Sequence, residues 1–109
     1  MIFDLNNMTK VGWEEADLGL QILGPYAAHV HCGAWEVARG PARPDGSAGW
    51  IWQGCDVGQG LLDLPEAFAA LHSHGYAGFV SLEDFRNIDP QAKCRQAVDY
   101  FRRIDPDRP

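Results

Sequence analysis

Three short apolar runs, each followed by a segment of helical periodicity, narrow the fold more than any other feature. The runs are Ile2-Phe3-Asp4-Leu5, Tyr26-Ala27-Ala28-His29-Val30-His31-Cys32 and Gly78-Phe79-Val80-Ser81-Leu82-Glu83. Alternating strands and helices predict an α/β fold with parallel strands and covering helices. A parallel sheet is normally covered on both faces. At roughly 30 residues per βα unit, the 109 residues hold about three units. That is far short of the about 250 residues of a closed eight-stranded barrel. The first run starts at residue 2, so the expectation is a piece of a larger architecture.

The helices are marked by their ends. The first is expected over Trp13–Leu23, with Glu14, Glu15 and Asp17 in its first turn and Gly24-Pro25 as its stop. The second starts at Asp63-Leu64-Pro65-Glu66, where Asp63 can cap and Glu66 can complete a capping box. Its buried face is Leu64, Ala67, Phe68 and Leu71. The last opens at Asp89-Pro90, with Cys94, Ala97, Val98 and Phe101 as its expected inner face. Between the second strand and second helix lies a long irregular stretch, about 33–62, rich in Gly and Pro. It carries Trp35, Trp50 and Trp52, which argue that it is ordered by packing. Gly49-Trp50-Ile51-Trp52 is expected as a short extension strand. Residues 105–109 are expected as a flexible tail.

Charge and cysteine usage exclude several classes. Nine Lys+Arg against fifteen Asp+Glu give a formal net charge of -6. With no basic cluster, nucleic acid is not an expected partner. No apolar run reaches the roughly 18 residues of a membrane span, so no membrane partner is expected. The N-terminus lacks a signal-peptide pattern. Cys32, Cys55 and Cys94 form no CxxC pair and are expected to be reduced thiols in a cytoplasmic protein.

In parallel α/β folds, sites gather at the carboxyl ends of strands. Asp4, His31 and Glu83 close the three apolar runs. Two carboxylates and an imidazole suit a divalent ion, Mn, Mg, Co or Zn. The plainer reading has Asp4 capping a turn, His31 hydrogen-bonded in the core and Glu83 paired with Arg86. His29 shares a strand face with His31 and is expected to be packed and hydrogen-bonded rather than a ligand. His72 and His74 are expected to be exposed groups favourable to a helix C-terminus. The cysteines are expected to be buried small hydrophobes.

An ordered set of motifs spans nearly the whole chain: Asp4-Leu5-Asn6-Asn7-Met8, Leu23-Gly24-Pro25-Tyr26-Ala27-Ala28-His29-Val30-His31, Gly58-Gln59-Gly60-Leu61-Leu62-Asp63-Leu64 and Gly75-Tyr76-Ala77-Gly78-Phe79-Val80-Ser81-Leu82-Glu83. This set resembles the C-terminal part of the sugar phosphate isomerase/epimerase family, with its xylose isomerase-like TIM barrel. The resemblance implies that residues 1–104 are a partial (βα) barrel, strands 6–8. It puts the family's metal-binding Asp, His and second Glu on Asp4, His31 and Glu83, with Glu83 also catalytic. In the family the metal binds two adjacent sugar oxygens and stabilises the enediolate formed as a carboxylate removes a carbon-bound proton. Asn7 stands where the ketose 3-epimerases have a substrate-contacting His. Val37 stands where they have an Arg, with Arg39 the nearest candidate. Asn7, His29 and Arg39 are therefore the expected contacts to a small sugar or sugar phosphate. The family's first Glu would precede residue 1, so a chain weak or inactive alone is expected. Three open strands are expected to form a homodimer or strand-exchanged oligomer, with residues such as Phe3, His29 and Phe79, or their neighbours depending on the pleat, on the exposed inner face. Three rival readings share the fold: a non-catalytic binding or assembly module with the Trp-bearing loop as contact surface, an inosose-type dehydratase, and an endonuclease IV-like hydrolase.

Overall fold

The computed structural model describes residues 1–12 and 15–106. A parallel three-stranded sheet, ordered β1-β2-β5, is built from Ile2–Asp4, His29–Gly33 and Val80–Glu83. Its register pairs Phe3 with Val30 and Asp4 with His31; on the other side Val30 meets Val80 and His31 meets Ser81. Four helices accompany it: α1 (Leu5–Val11), α2 (Ala16–Leu23), α3 (Leu64–Ser73) and α4 (Pro90–Ile104). A separate antiparallel hairpin is formed by β3 (Trp35–Ala42) and β4 (Ala48–Gly54). This α/β architecture is consistent with a partial TIM barrel.

Side chains alternate across a strand, and the pleat sorts this sheet into two chemistries. Phe3, Val30 and Cys32 turn to one face and are buried with Leu5, Leu20, Leu64, Phe68 and Leu71. The partly buried Val80, Leu82, Tyr100 and Phe101 complete that core. The other face carries Ile2, Asp4, His29, His31, Ser81 and Glu83, none of them fully buried. The pleat thus makes Phe3 a core residue, 2% exposed, and puts its neighbour Ile2 with His29 on the other face. Phe79, 83% exposed, remains open as expected. Each fully buried Leu, Val or Phe contributes about 1.5–3 kcal/mol, so helix-on-sheet packing outweighs the surface ion pairs, worth about 0–1 kcal/mol each.

Several elements depart from expectation for local reasons. Leu5 leaves the first strand at once, because Asp4 caps α1: its carboxylate accepts from the Asn7 backbone N–H at 2.9 Å. The helix expected from Trp13 begins at Ala16; Trp13 and Glu14 lie outside the described residues. β2 starts at His29, since Gly24-Pro25-Tyr26 closes a 3-10 turn that carries Tyr26 out of the strand. β5 starts at Val80 rather than Gly78. The stretch expected as irregular is largely the hairpin, and Gly49–Trp52 lies inside its second strand.

The caps of the later helices follow the sequence. Asp63 accepts from the Glu66 backbone at 2.9 Å and Asp89 from Ala92 at 2.8 Å. On α4 the inner face is Ala97, Tyr100, Phe101 and Ile104, while Cys94 and Val98 are exposed. Val98 and Phe101 instead border an open groove of about 700 Å³ beside Phe79 and Val80. Asp105, expected in the tail, is buried and bonded to His72 at 3.0 Å; residues 107–109 lie outside the described ones. Among the described residues no helix is long and apolar enough to cross a membrane.

Two expected outcomes follow from the packing. Gly58 has φ +88, and a Cβ there would meet the Tyr100 ring. Gly58→Ala therefore combines left-handed strain with overpacking, and should lower stability by about 1–3 kcal/mol in urea unfolding. β1 and β5 are the outer strands of the sheet, and unpaired edges template pairing with another chain. Light scattering at micromolar concentration should give at least twice 12.1 kDa; a monomer with sharp, dispersed NMR resonances would count against edge pairing.

Candidate functional site

The polar face of the sheet assembles the strand-end residues. Asp4, His31 and Ser81 stand side by side in the register, and Glu83 closes β5 opposite Gly33. His31 Nδ1 lies 3.5 Å from Glu83 Oε1. That is ion-pair reach, looser than the 2.7–3.2 Å of a protein hydrogen bond. The side chains are 25% and 41% exposed, so a ligand can reach both. His29 Nε2 and Ser81 Oγ are 2.6 Å apart, and the His29 and His31 rings meet edge to face at 5.1 Å. His29 is therefore packed and hydrogen-bonded, one layer below His31.

Asp4 is oriented differently. Its two oxygens accept from the Asn7 backbone N–H at 2.9 Å and from Asn7 Nδ2 at 2.8 Å. Both Asp4 and Asn7 are thus spent on starting α1. The plainer sequence reading is met for Asp4, which caps a turn. It fails for Glu83, because Arg86 pairs with Asp84 at 2.6 Å and with Asp56 instead. Among the described residues no three His, Cys, Asp or Glu side chains are grouped to hold a metal ion. The donor types suit a divalent cation, but only His31 and Glu83 converge. Asp4 does not join them while it caps α1, so as arranged the three do not fit a chelated ion.

The floor of the site is backed by Cys32, on the opposite side of β2. Burial, with a smaller contribution from the Asp4 carboxylate, pushes its thiol pKa up to about 12. Cys32 is inert packing, as expected of a buried cysteine; Cys94 is exposed and departs from that expectation. His72 and His74 pair with Asp105 and Asp17. The His74 hydrogen bond, and then that of Gln21, hold the Asp17 carboxyl below its usual range.

Loops fix the rim at the carboxyl end of the sheet. A Cβ on Gly33 would meet the Asn6 amide and the Glu83 carbonyl oxygen, so α1, β2 and β5 approach closely there. Arg86 joins Asp84, Asp56 and Gln96, tying the segment after β5 to the loop after the hairpin and to α4. Arg39 stands six residues beyond Gly33, about 20 Å along extended chain at about 3.3 Å per residue. Its guanidinium lies over Trp50, 5.4 Å from the ring centroid. Sequence reasoning did not single out Ser81, Lys10 or Phe85, and read Trp35 only as part of an ordered, Trp-bearing loop. Ser81 was legible as the residue two before Glu83, on the same strand face. Lys10 and Trp35 meet only through the fold, with Lys10 Nζ 3.2 Å from the Trp35 centroid.

A three-stranded parallel sheet with an imidazole and a carboxylate 3.5 Å apart at its carboxyl end is consistent with a partial TIM barrel. A family model described as xylose isomerase-like TIM barrel matches residues 1–104. The chain belongs to that family. No curated protein and no solved structure matches it.

The metal reading has a direct check. Calorimetry with Mn²⁺ should show binding weaker than micromolar, further weakened by His31→Ala or Glu83→Ala. Sub-micromolar affinity indifferent to both substitutions would place the ion elsewhere.

Proposed function

We propose that this chain is a sugar or sugar phosphate isomerase/epimerase-type protein, weak as it stands, in which Glu83 moves a carbon-bound proton. One observation carries the reading: His31 and Glu83 in contact at the mouth of the sheet in a xylose isomerase-like chain. Proton abstraction next to a carbonyl needs a carboxylate within reach of that carbon and a group that stabilises the resulting oxyanion. Glu83, partly exposed, takes the first role. His31, 3.5 Å from the Glu83 carboxylate, takes the second. His29 and Ser81 support His31 from below. The proposed proton transfer takes no step through a divalent ion of the Mn, Mg, Co or Zn type, which Asp4, His31 and Glu83 do not fit as arranged. Asp4 would have to leave its cap to take part. Three free cysteines support a cytoplasmic setting.

A single carboxylate does part of a two-base reaction. An acid–base group is worth about 10²–10⁴-fold, so the rate expected is only modestly above buffer. Deuterium wash-in to fructose and fructose 6-phosphate, followed by NMR, should show slow exchange that disappears in Glu83→Gln and falls in His31→Gln. Exchange unchanged by Glu83→Gln would remove the proposal. Exchange no faster than in buffer would favour a second reading, a non-catalytic binding module that uses the hairpin as its contact surface, to which the 69% exposure of Trp50 lends support.

A further inference from the structure

We infer that Ser81 and His29 form a nucleophile–base pair on the polar face of the sheet, which transfers the acyl group of a small ester to Ser81 and then to water. The inference does not rest on proton transfer by Glu83.

The serines of the chain use their hydroxyls differently. Ser47 donates to the Asp45 carboxylate at 2.7 Å and Ser73 to the Ala70 carbonyl at 2.9 Å. Both bonds are local and serve a turn or a helix end. Ser81 Oγ instead stands 2.6 Å from His29 Nε2, on a residue 52 positions away in sequence. In that arrangement an imidazole can take the hydroxyl proton as the oxygen attacks. With the ring proton of His29 on Nδ1, Ser81 donates to Nε2. His29 is fixed from two sides. β1 sets Ile2 beside it, and the His31 ring meets its own edge to face at 5.1 Å. Ser81 and His29 are both partly exposed, so a small ester can reach them.

The register supplies the third component. His31 and Ser81 are direct partners on neighbouring strands, about 4.8 Å apart between strands, with both side chains on the polar face. An imidazole N–H beside the nucleophile can hold the negative charge that develops on an ester carbonyl oxygen. Ser81 Oγ bonds to the carbonyl carbon while its proton passes to His29 Nε2. The bond from that carbon to the leaving alcohol then breaks, and the alcohol takes the proton from His29. Water attacks the acyl carbon next and gives a proton to His29, and Ser81 leaves with that proton. One ester and one water become one carboxylic acid and one alcohol. Among the described residues no carboxylate bonds His29, whose partner is Ser81. A base without an acid behind it suits esters with a good leaving alcohol rather than amides. Ile2, 56% exposed beside His29, offers an apolar surface to a short acyl group.

The experiment uses the whole 109-residue chain with p-nitrophenyl acetate, followed by p-nitrophenolate release and by peptide mass spectrometry. Turnover should exceed the buffer rate, and acid quenching should trap the acetyl group on Ser81. Ser81→Ala and His29→Gln should each lower the rate above buffer by about 100-fold, with circular dichroism showing both folded. Ser81→Cys, which keeps a nucleophile in place, should itself carry the acetyl group. A fluorophosphonate probe should label Ser81 in the unaltered chain, a readout that needs no variant to fold. Turnover unchanged in Ser81→Ala, acetyl groups only on other residues, or no turnover above buffer overturns the pair. So does fluorophosphonate labelling that misses Ser81. The proposed function is read separately, by Glu83-dependent exchange of carbon-bound protons. Such exchange without an acetyl group on Ser81 removes this pair alone, and acetyl transfer without exchange removes the other reading alone.

Discussion

The register of three parallel strands is the constraint on which the rest of the molecule depends. Phe3 beside Val30 and Val30 beside Val80 commit one side of every strand to the helices. The two-residue period of a strand then leaves Asp4, His31, Ser81 and Glu83 on the other side. A slip of one residue in β2 would drive His29 and His31 into the apolar core and expose Val30 and Cys32, which have no measurable exposure at all. Burying unpaired imidazoles and exposing packed apolar groups both cost free energy. The same packing that stabilises the fold therefore aligns the polar groups, and the site comes without a separate folding determinant.

Placement along the strand is a different matter, and loops settle it. Arg86 is 12% exposed at its side chain and reaches three partners from three segments. A buried or nearly buried charge has to be paired, so the segments that supply Asp84, Asp56 and Gln96 are drawn to one point. Gly58 then lets the loop from the hairpin pass beside Tyr100 on α4. Together these contacts hold the base of the hairpin against the end of β5, which is why Trp35 meets Phe85.

What the sequence made legible was whatever rests on local chemistry. Asp63, Asp89 and the glycine past α3 announced their helix ends, and the apolar runs announced β1, β2 and β5. The three strand-end residues followed from the runs. The hairpin was hidden because Gly40, Pro41, Pro44 and Gly49 interrupt its alternation, although the tryptophans showed that something ordered the stretch. α1 was hidden because Asn6 and Asn7 are poor helix formers, and it exists through a tertiary contact of Asn6 with Gly33 and through the Asp4 cap. The outer side of α4 misled because Val98 reads as core by spacing alone, while its packing depends on what lies beside the open edge of β5. No single-chain pattern encodes that neighbour.

Asp4 shows how one residue can serve structure and chemistry in competition. A side-chain N-cap is worth about 0.5–2 kcal/mol, and Asp4 adds a second bond to the Asn7 amide. α1 is only seven residues long and too short to be stable in isolation, so it leans on that cap and on its burial of Leu5 and Asn6. A cation drawing the Asp4 carboxylate toward His31 and Glu83 would have to compensate for the lost cap and for the loosening of the first turn. Lys10, in the last turn of the same helix, would feel that loosening. The arrangement shown spends the Asp4 carboxylate on α1 and leaves His31 and Glu83 as the converging pair.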